Sequence, residues 1–220
     1  MEESATGRSV PPPAHGEEEH PSLALANSAV ALPGGLTADL LGDPAQANRW
    51  LTERGLAPVD SGMQEMCAGL LRTLRENVRS LFSSRCTGLP AHPAAVAAVN
   101  DAMTRVPTVP LLRWDAERGP YRTPPHPTTA IVEHALATLA ADAADLLTSP
   151  EADRLTACGS PPCNRFLLRR GRRHWCSTRC GDRVRAARAY ARRNSHGDPA
   201  DEGAPDGSPA EPPSGSGRPR

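Results

Sequence analysis

Six cysteines occur in this sequence, and four of them fall in two close pairs, Cys158 with Cys163 and Cys176 with Cys180. The spacing is C-x4-C-x12-C-x3-C, the arrangement a tetrahedral Zn²⁺ site requires. Each pair brings two thiolates to one side of the ion, and the linker is long enough to fold back. The turn Gly159-Ser160-Pro161-Pro162 suits a tight loop for the first pair. Cys176 and Cys180 stand one helical turn apart at the start of an expected helix running from Ser177 to about Arg193. Four thiolates close the coordination sphere and leave no place for a reactive water, so the expected cofactor is one structural Zn²⁺. Three other readings stay open. The cysteines could form disulfides in an oxidising compartment or stand as unrelated thiols, and His174 could replace one ligand. Cys67 and Cys86 lie on or near an apolar helical stripe and read as inert core thiols.

Around the cysteines the charge is one-signed. The chain balances 25 basic against 25 acidic residues, and every basic residue is Arg. Twelve of these arginines lie between Arg154 and Arg193, where Asp182 is the single acid, which leaves that window at +11. Arg169, Arg170, Arg172 and Arg173 form a basic loop. On the helix that follows, Arg185, Arg188 and Arg192 share one face, and Arg179, Arg183 and Arg193 share another. Self-repulsion on this scale favours a polyanion partner, and these ten arginines are the candidate nucleic-acid contacts. The alternative is a zinc-stabilised protein- or RNA-interaction module that does not read DNA sequence.

The segment that must position this site has only 3% aromatic residues across a 220-residue chain, so its core is built from Leu, Ala and Val. Asp43-Pro44 predicts a helix start and Gly55 its stop, with Ala47, Trp50 and Leu51 inward. Ser61-Gly62-Met63-Gln64 has the form of a capping box. It precedes a helical period through Met63, Met66, Cys67, Leu70, Leu71, Leu74, Val78, Leu81 and Phe82. A shorter helix from Pro93 through Val96, Val99 and Met103 is ended by Pro107. Leu111–Asp115 and Tyr121–Thr123 predict a hairpin, and an Ala-rich helix spans about 128–148 before a capped turn at Ser149-Pro150-Glu151. The fold class expected is mainly α with one small β-hairpin, followed by a small four-cysteine zinc-finger module ending in a basic helix.

The expected organisation is a disordered tail over 1–21, a helical domain over 22–153, the finger over 154–193 and a disordered Pro/Gly-rich tail over 194–220. The finger holds so little apolar bulk that it is expected to unfold without zinc, independently of the helices. No apolar run reaches transmembrane length, and Met1-Glu2-Glu3 does not begin a secretory signal, so a cytoplasmic location with reduced thiols is expected. No Walker loop, dinucleotide fingerprint, HExxH or nucleophile elbow occurs, so no enzymatic activity is expected.

Residues 154–193 resemble the CGNR zinc finger through Arg172-Arg173-His174-Trp175-Cys176-Ser177 and Cys180-Gly181-Asp182-Arg183, with Asp182 where the motif has Asn. The preceding segment is similar to the ABATE domain. The matching stretches are Asp39-Leu40-Leu41-Gly42-Asp43-Pro44, Val109-Pro110-Leu111-Leu112-Arg113-Trp114 and Leu147 through Leu155. The resemblance implies a bacterial stress-related transcription regulator with DNA as partner, a homodimer as an open alternative and no membrane contact.

Overall fold

The computed structural model describes residues 11–32, 35–59, 61–106, 110–123 and 130–195. The element order is α1 (Pro21–Ala26), β1 (Ala29–Ala31), β2 (Thr37–Asp39), α2 (Pro44–Glu53), α3 (Glu65–Thr87), α4 (Pro93–Thr104), β3 (Leu111–Asp115), β4 (Gly119–Thr123), α5 (Ile131–Thr148), a 3₁₀ turn (Pro150–Arg154), β5 (Leu155–Ala157), β6 (Phe166–Leu168) and α6 (Thr178–Ser195). The strands form three separate antiparallel pairs, β1–β2, β3–β4 and β5–β6.

Local chemistry explains most of the helix ends. Asp43 caps α2 by accepting from the Gln46 N–H at 2.8 Å, and Pro44 occupies the first helical position, where no N–H is needed. The helix turns its Ala47, Trp50 and Leu51 inward, as the pattern predicts. Gly88 ends α3 with φ +70°, a left-handed conformation that glycine adopts without strain. Ser149 accepts from the Glu151 N–H at 3.1 Å and starts the 3₁₀ turn.

The capping box does not form. α3 begins at Glu65 after Gln64, which makes no side-chain cap bond, and the Ser61 hydroxyl instead bonds Oδ1 of Asn48. Gly62, just before the helix, is left-handed with φ +63°. Met66 lies outside the stripe, 72% exposed, while Ala68, Leu71, Leu74, Val78 and Phe82 face inward. The hairpin β3–β4 forms in the expected place, but its strands are exposed on both faces.

The core gathers α1, α2, α3, α4 and α5 around Leu25, Leu51, Leu71, Val78, Leu139 and Leu146. Its membership does not stop at residue 153. Leu155, Phe166 and Leu168, from the expected finger, are buried in the same cluster, and the Phe166 ring meets Phe82 edge to face at 5.8 Å. Asn27 fastens the junction with two bonds to Phe166, donating from Nδ2 to its carbonyl at 2.8 Å and accepting its N–H at 2.7 Å. Asn164 does the same for the Ala31 N–H and the Ala29 carbonyl. Arg79 donates to the carbonyls of Ala26 and Asn164.

This packing bears on two expectations. The first compact unit runs through Val184 and the second begins at Arg185, so residues 154–184 pack in the same unit as the helices. Residues 11–21, expected as part of a disordered tail, are also built in. Ala14 is buried, the His15 carbonyl accepts from the Leu168 N–H at 2.9 Å, and Glu17 pairs with Arg165 at 2.6 Å. Gly16 adopts φ +99°, and a Cβ there would lie 2.8 Å from Leu168 Cγ. Composition counts apolar residues within a segment, whereas this one is held by partners about 150 positions away. Residues 1–10, Pro107 and 196–220 lie outside the described residues.

The shared core makes a specific demand on stability. Phe166→Ala should cost about 3–5 kcal/mol and lower the urea midpoint of the helical circular-dichroism transition, because Phe166 belongs to the helical core. An unchanged helical transition would show that the segment after residue 153 unfolds on its own.

Candidate metal centre

The hairpin of β5 and β6 presents the first cysteine pair. Its register sets Leu155 opposite Leu168 and Ala157 opposite Phe166, so Cys158 and Cys163 lie in the loop just beyond. Two further bonds tighten that loop, from the Cys158 N–H to the Arg165 carbonyl at 2.8 Å and from the Cys163 N–H to the Ser160 carbonyl at 2.8 Å. The second pair arrives at the start of α6. The Ser177 hydroxyl accepts from the Cys180 N–H at 3.2 Å, and the Gly159 N–H reaches the His174 carbonyl at 3.1 Å.

These connections bring the four sulfurs within 4.8 Å of one another. The Cys163–Cys176 and Cys176–Cys180 Sγ separations are both 3.6 Å. A tetrahedron with Zn–S bonds of about 2.3 Å has edges of about 3.8 Å, so the donor set fits one zinc ion by type, number and size. Cys158, Cys176 and Cys180 are buried and Cys163 is half-buried. Ala14 and Leu167 pack against them, and water is thereby largely excluded. Bound zinc would hold the two ends of residues 158–180 together as a structural cross-link. His174 is exposed and does not join the group.

The electrostatics fit the same role. Hydrogen bonds from the Cys163 and Cys176 thiols hold Cys158 down at about 2, with the Cys176 backbone N–H, 3.4 Å away, adding to the effect. The thiol bonded to Cys158 is pushed the other way, Cys163 to about 11, and Cys176 is raised by the same sharing with Cys158 and Cys163. Four sulfurs this close cannot all be anionic without a cation. Arg165, 3% exposed, supplies part of the compensation: its Nη1 lies 3.9 Å from Cys176 Sγ while its Nη2 pairs with Glu17. Burial lowers the affinity of this guanidinium for its proton, but the Glu17 carboxylate outweighs that and raises it. Sequence spacing selects neither Arg165 nor Glu17. A Glu-rich stretch in the same chain as an all-Arg segment is the only signal that could have paired them.

The ten candidate arginines divide. Arg170, Arg172, Arg173 and Arg179 are exposed in the first unit, and Arg185, Arg188, Arg192 and Arg193 are exposed in the second. Arg183 is half-buried, its Nη1 directed to the Ser160 and Pro161 carbonyls at 3.4 and 3.3 Å, and it braces the cysteine loop. Arg169 is half-buried and donates to the Asp153 carbonyl at 3.3 Å.

A helical domain closed by a four-cysteine structural zinc site defines a class of zinc-finger protein. A family model described as "Putative stress-induced transcription regulator" (ABATE) matches residues 19–150, and the CGNR zinc finger model matches residues 154–193. The chain therefore belongs to the ABATE family and carries a CGNR zinc finger. None of the curated proteins matches it.

Metal analysis of the purified chain should give one zinc per molecule, and Cys176→Ser should remove most of it. Cys67→Ser should leave the zinc content unchanged, since that half-buried thiol packs on the helical core. Equal zinc in wild type and Cys176→Ser would refute the ligand set.

Proposed function

We propose that this chain is a non-enzymatic, cytoplasmic, zinc-dependent DNA-binding protein that regulates transcription, and that its exposed arginines are the contact surface. The observation that carries this reading is the exposure of Arg170, Arg172, Arg173 and Arg179 beside the metal, together with Arg185, Arg188, Arg192 and Arg193 along α6. The family description supports the regulatory role. Guanidinium groups fork to phosphate oxygens or to guanine edges. Zinc acts only by holding that scaffold, because four thiolates saturate the ion and leave no position for a reactive water.

Salt dependence tests the reading. About 4–7 simultaneous phosphate contacts give a log-affinity against log-salt slope of roughly −4 to −6 on random duplex DNA. Replacing Arg185, Arg188 and Arg192 with Ala should make that slope shallower by about 2–3 units, because i, i+3 and i+7 positions share a helix face. Affinity that is flat in salt, or a triple variant that binds like wild type, would overturn DNA binding and leave the protein-interaction role. Preferential binding of single-stranded RNA would do so in favour of an RNA role.

A further inference from the structure

The N-terminal segment, α1, the β1–β2 pair, α2 and Arg165 line an open cleft of about 640 Å³. That volume lies within the range of small-molecule sites. Its wall is apolar at Ala24, Val30, Leu40 and Trp50 and charged elsewhere. The lining holds three acids, Glu17, Asp39 and Glu53, and three arginines, Arg49, Arg54 and Arg165, and of these Arg49 is the one with no opposite-charge partner among the described residues.

Asp39 accepts two bonds from Arg75, at 2.6 and 3.0 Å, and a third from the Leu41 N–H at 2.9 Å. Burial works against its ionisation, but the Arg75 bonds outweigh that and keep the carboxyl below its ordinary value. Glu17 accepts from Arg165 and from Asn27, each at 2.6 Å. On the donor side, the Trp50 indole N–H and the Arg165 Nε–H have no acceptor among the described residues, although these side chains are only 2% and 3% exposed. Buried donors without acceptors are costly and rare in folded proteins. Arg49, exposed on α2 next to Trp50, has no acid partner among the described residues. A cation would find Asp39 and Glu17 already bonded and Glu53 beside the Arg54 guanidinium at 3.9 Å. An acceptor-bearing anion would find an unpaired guanidinium at Arg49, and it would reach the two unmet N–H groups only after a side-chain movement, since neither nitrogen is now open to the cleft.

We propose that this cavity is a binding site for a small organic carboxylate. The apolar body of the ligand rests on Val30, Leu40 and Trp50, and its carboxylate is taken by Arg49 and by the unmet donors after a rotamer-scale adjustment of the wall. Bare inorganic anions are poor candidates, since they leave the apolar wall and most of the volume unused. Arg165 belongs both to this wall and to the surroundings of Cys176. The ligand would thus sit one side chain away from the metal centre, placed to act as an effector. The binding itself does not rest on the DNA reading.

The test uses the full zinc-loaded chain, ¹⁵N-labelled, with the assigned Trp50 indole N–H resonance as readout. Benzoate, phenylacetate and hexanoate are titrated, each against its own neutral amide. At least one carboxylate should shift the resonance saturably and bind about tenfold or more tighter than its amide, as a charge-assisted contact requires. Arg49→Ala, at an exposed position that should not disturb folding, should weaken that binding about fivefold or more, and Arg188→Ala should leave it unchanged. The proposal is overturned if no carboxylate saturates by ~10 mM, if an amide binds as well as its acid, or if Arg49→Ala binds like wild type.

Discussion

Three consecutive residues, Phe166 to Leu168, hold two otherwise separate pieces of chemistry together. Side chains alternate across a strand, so Phe166 and Leu168 enter the helical core while Leu167 packs against the cysteine cluster. All three are buried, which is possible for so short a strand only because it is covered on both faces. The zinc ligands have no core of their own large enough to hold them in place. They are positioned by a strand whose anchoring energy comes from helices up to about 140 residues away in sequence. Metal and helices therefore stabilise each other through β6, and the cysteine cluster belongs to the same unit as the helices.

The same junction carries a heavy electrostatic burden. Arg165 is buried beside the Cys176 sulfur, Glu17 and the Pro12 carbonyl, which its Nη1 reaches at 2.9 Å. A buried guanidinium is tolerable only when its partners are fixed, so the N-terminal segment has to be ordered for the metal centre to be complete. The stretch Glu17-Glu18-Glu19 is then more than a solvated run in a tail. Glu18 and Glu19 face solvent, but Glu17 is a structural counter-ion, 8% exposed at the side chain.

What is legible in the sequence follows from how local each determinant is. The cysteine spacing, the Asp43-Pro44 start and the stripe of α3 are each written within a window of a few turns, and each appears in the structure. The β5–β6 pair, three residues a side, is too short to show a period. The Asn27–Phe166 and Glu17–Arg165 contacts join positions 139 and 148 residues apart, and no local pattern encodes them. The capping-box pattern misleads because Ser61 finds a better partner in Asn48, a contact back to the preceding helix that a four-residue motif cannot weigh.

Those long-range contacts also alter the meaning of the arginine cluster. A net charge of +11 between Arg154 and Arg193 suggests a single basic surface, yet at least four of the twelve arginines have structural duties. Arg154 pairs with Glu151 at 2.6 Å and bonds the Arg169 carbonyl, Arg165 is buried, Arg169 holds the Asp153 carbonyl, and Arg183 braces the cysteine loop. Arg183 is the last residue of the Cys180-Gly181-Asp182-Arg183 stretch, and its bonds to the Ser160 and Pro161 carbonyls explain why an arginine belongs at that position without any nucleic acid present. The fork of donors on a guanidinium can satisfy several carbonyls of a tight loop at once, which the single ammonium of a lysine does less well. The motif arginine thus makes the loop, and the loop makes the metal site. On the proposed reading, the exposed arginines that flank it are the ones that meet a polyanion.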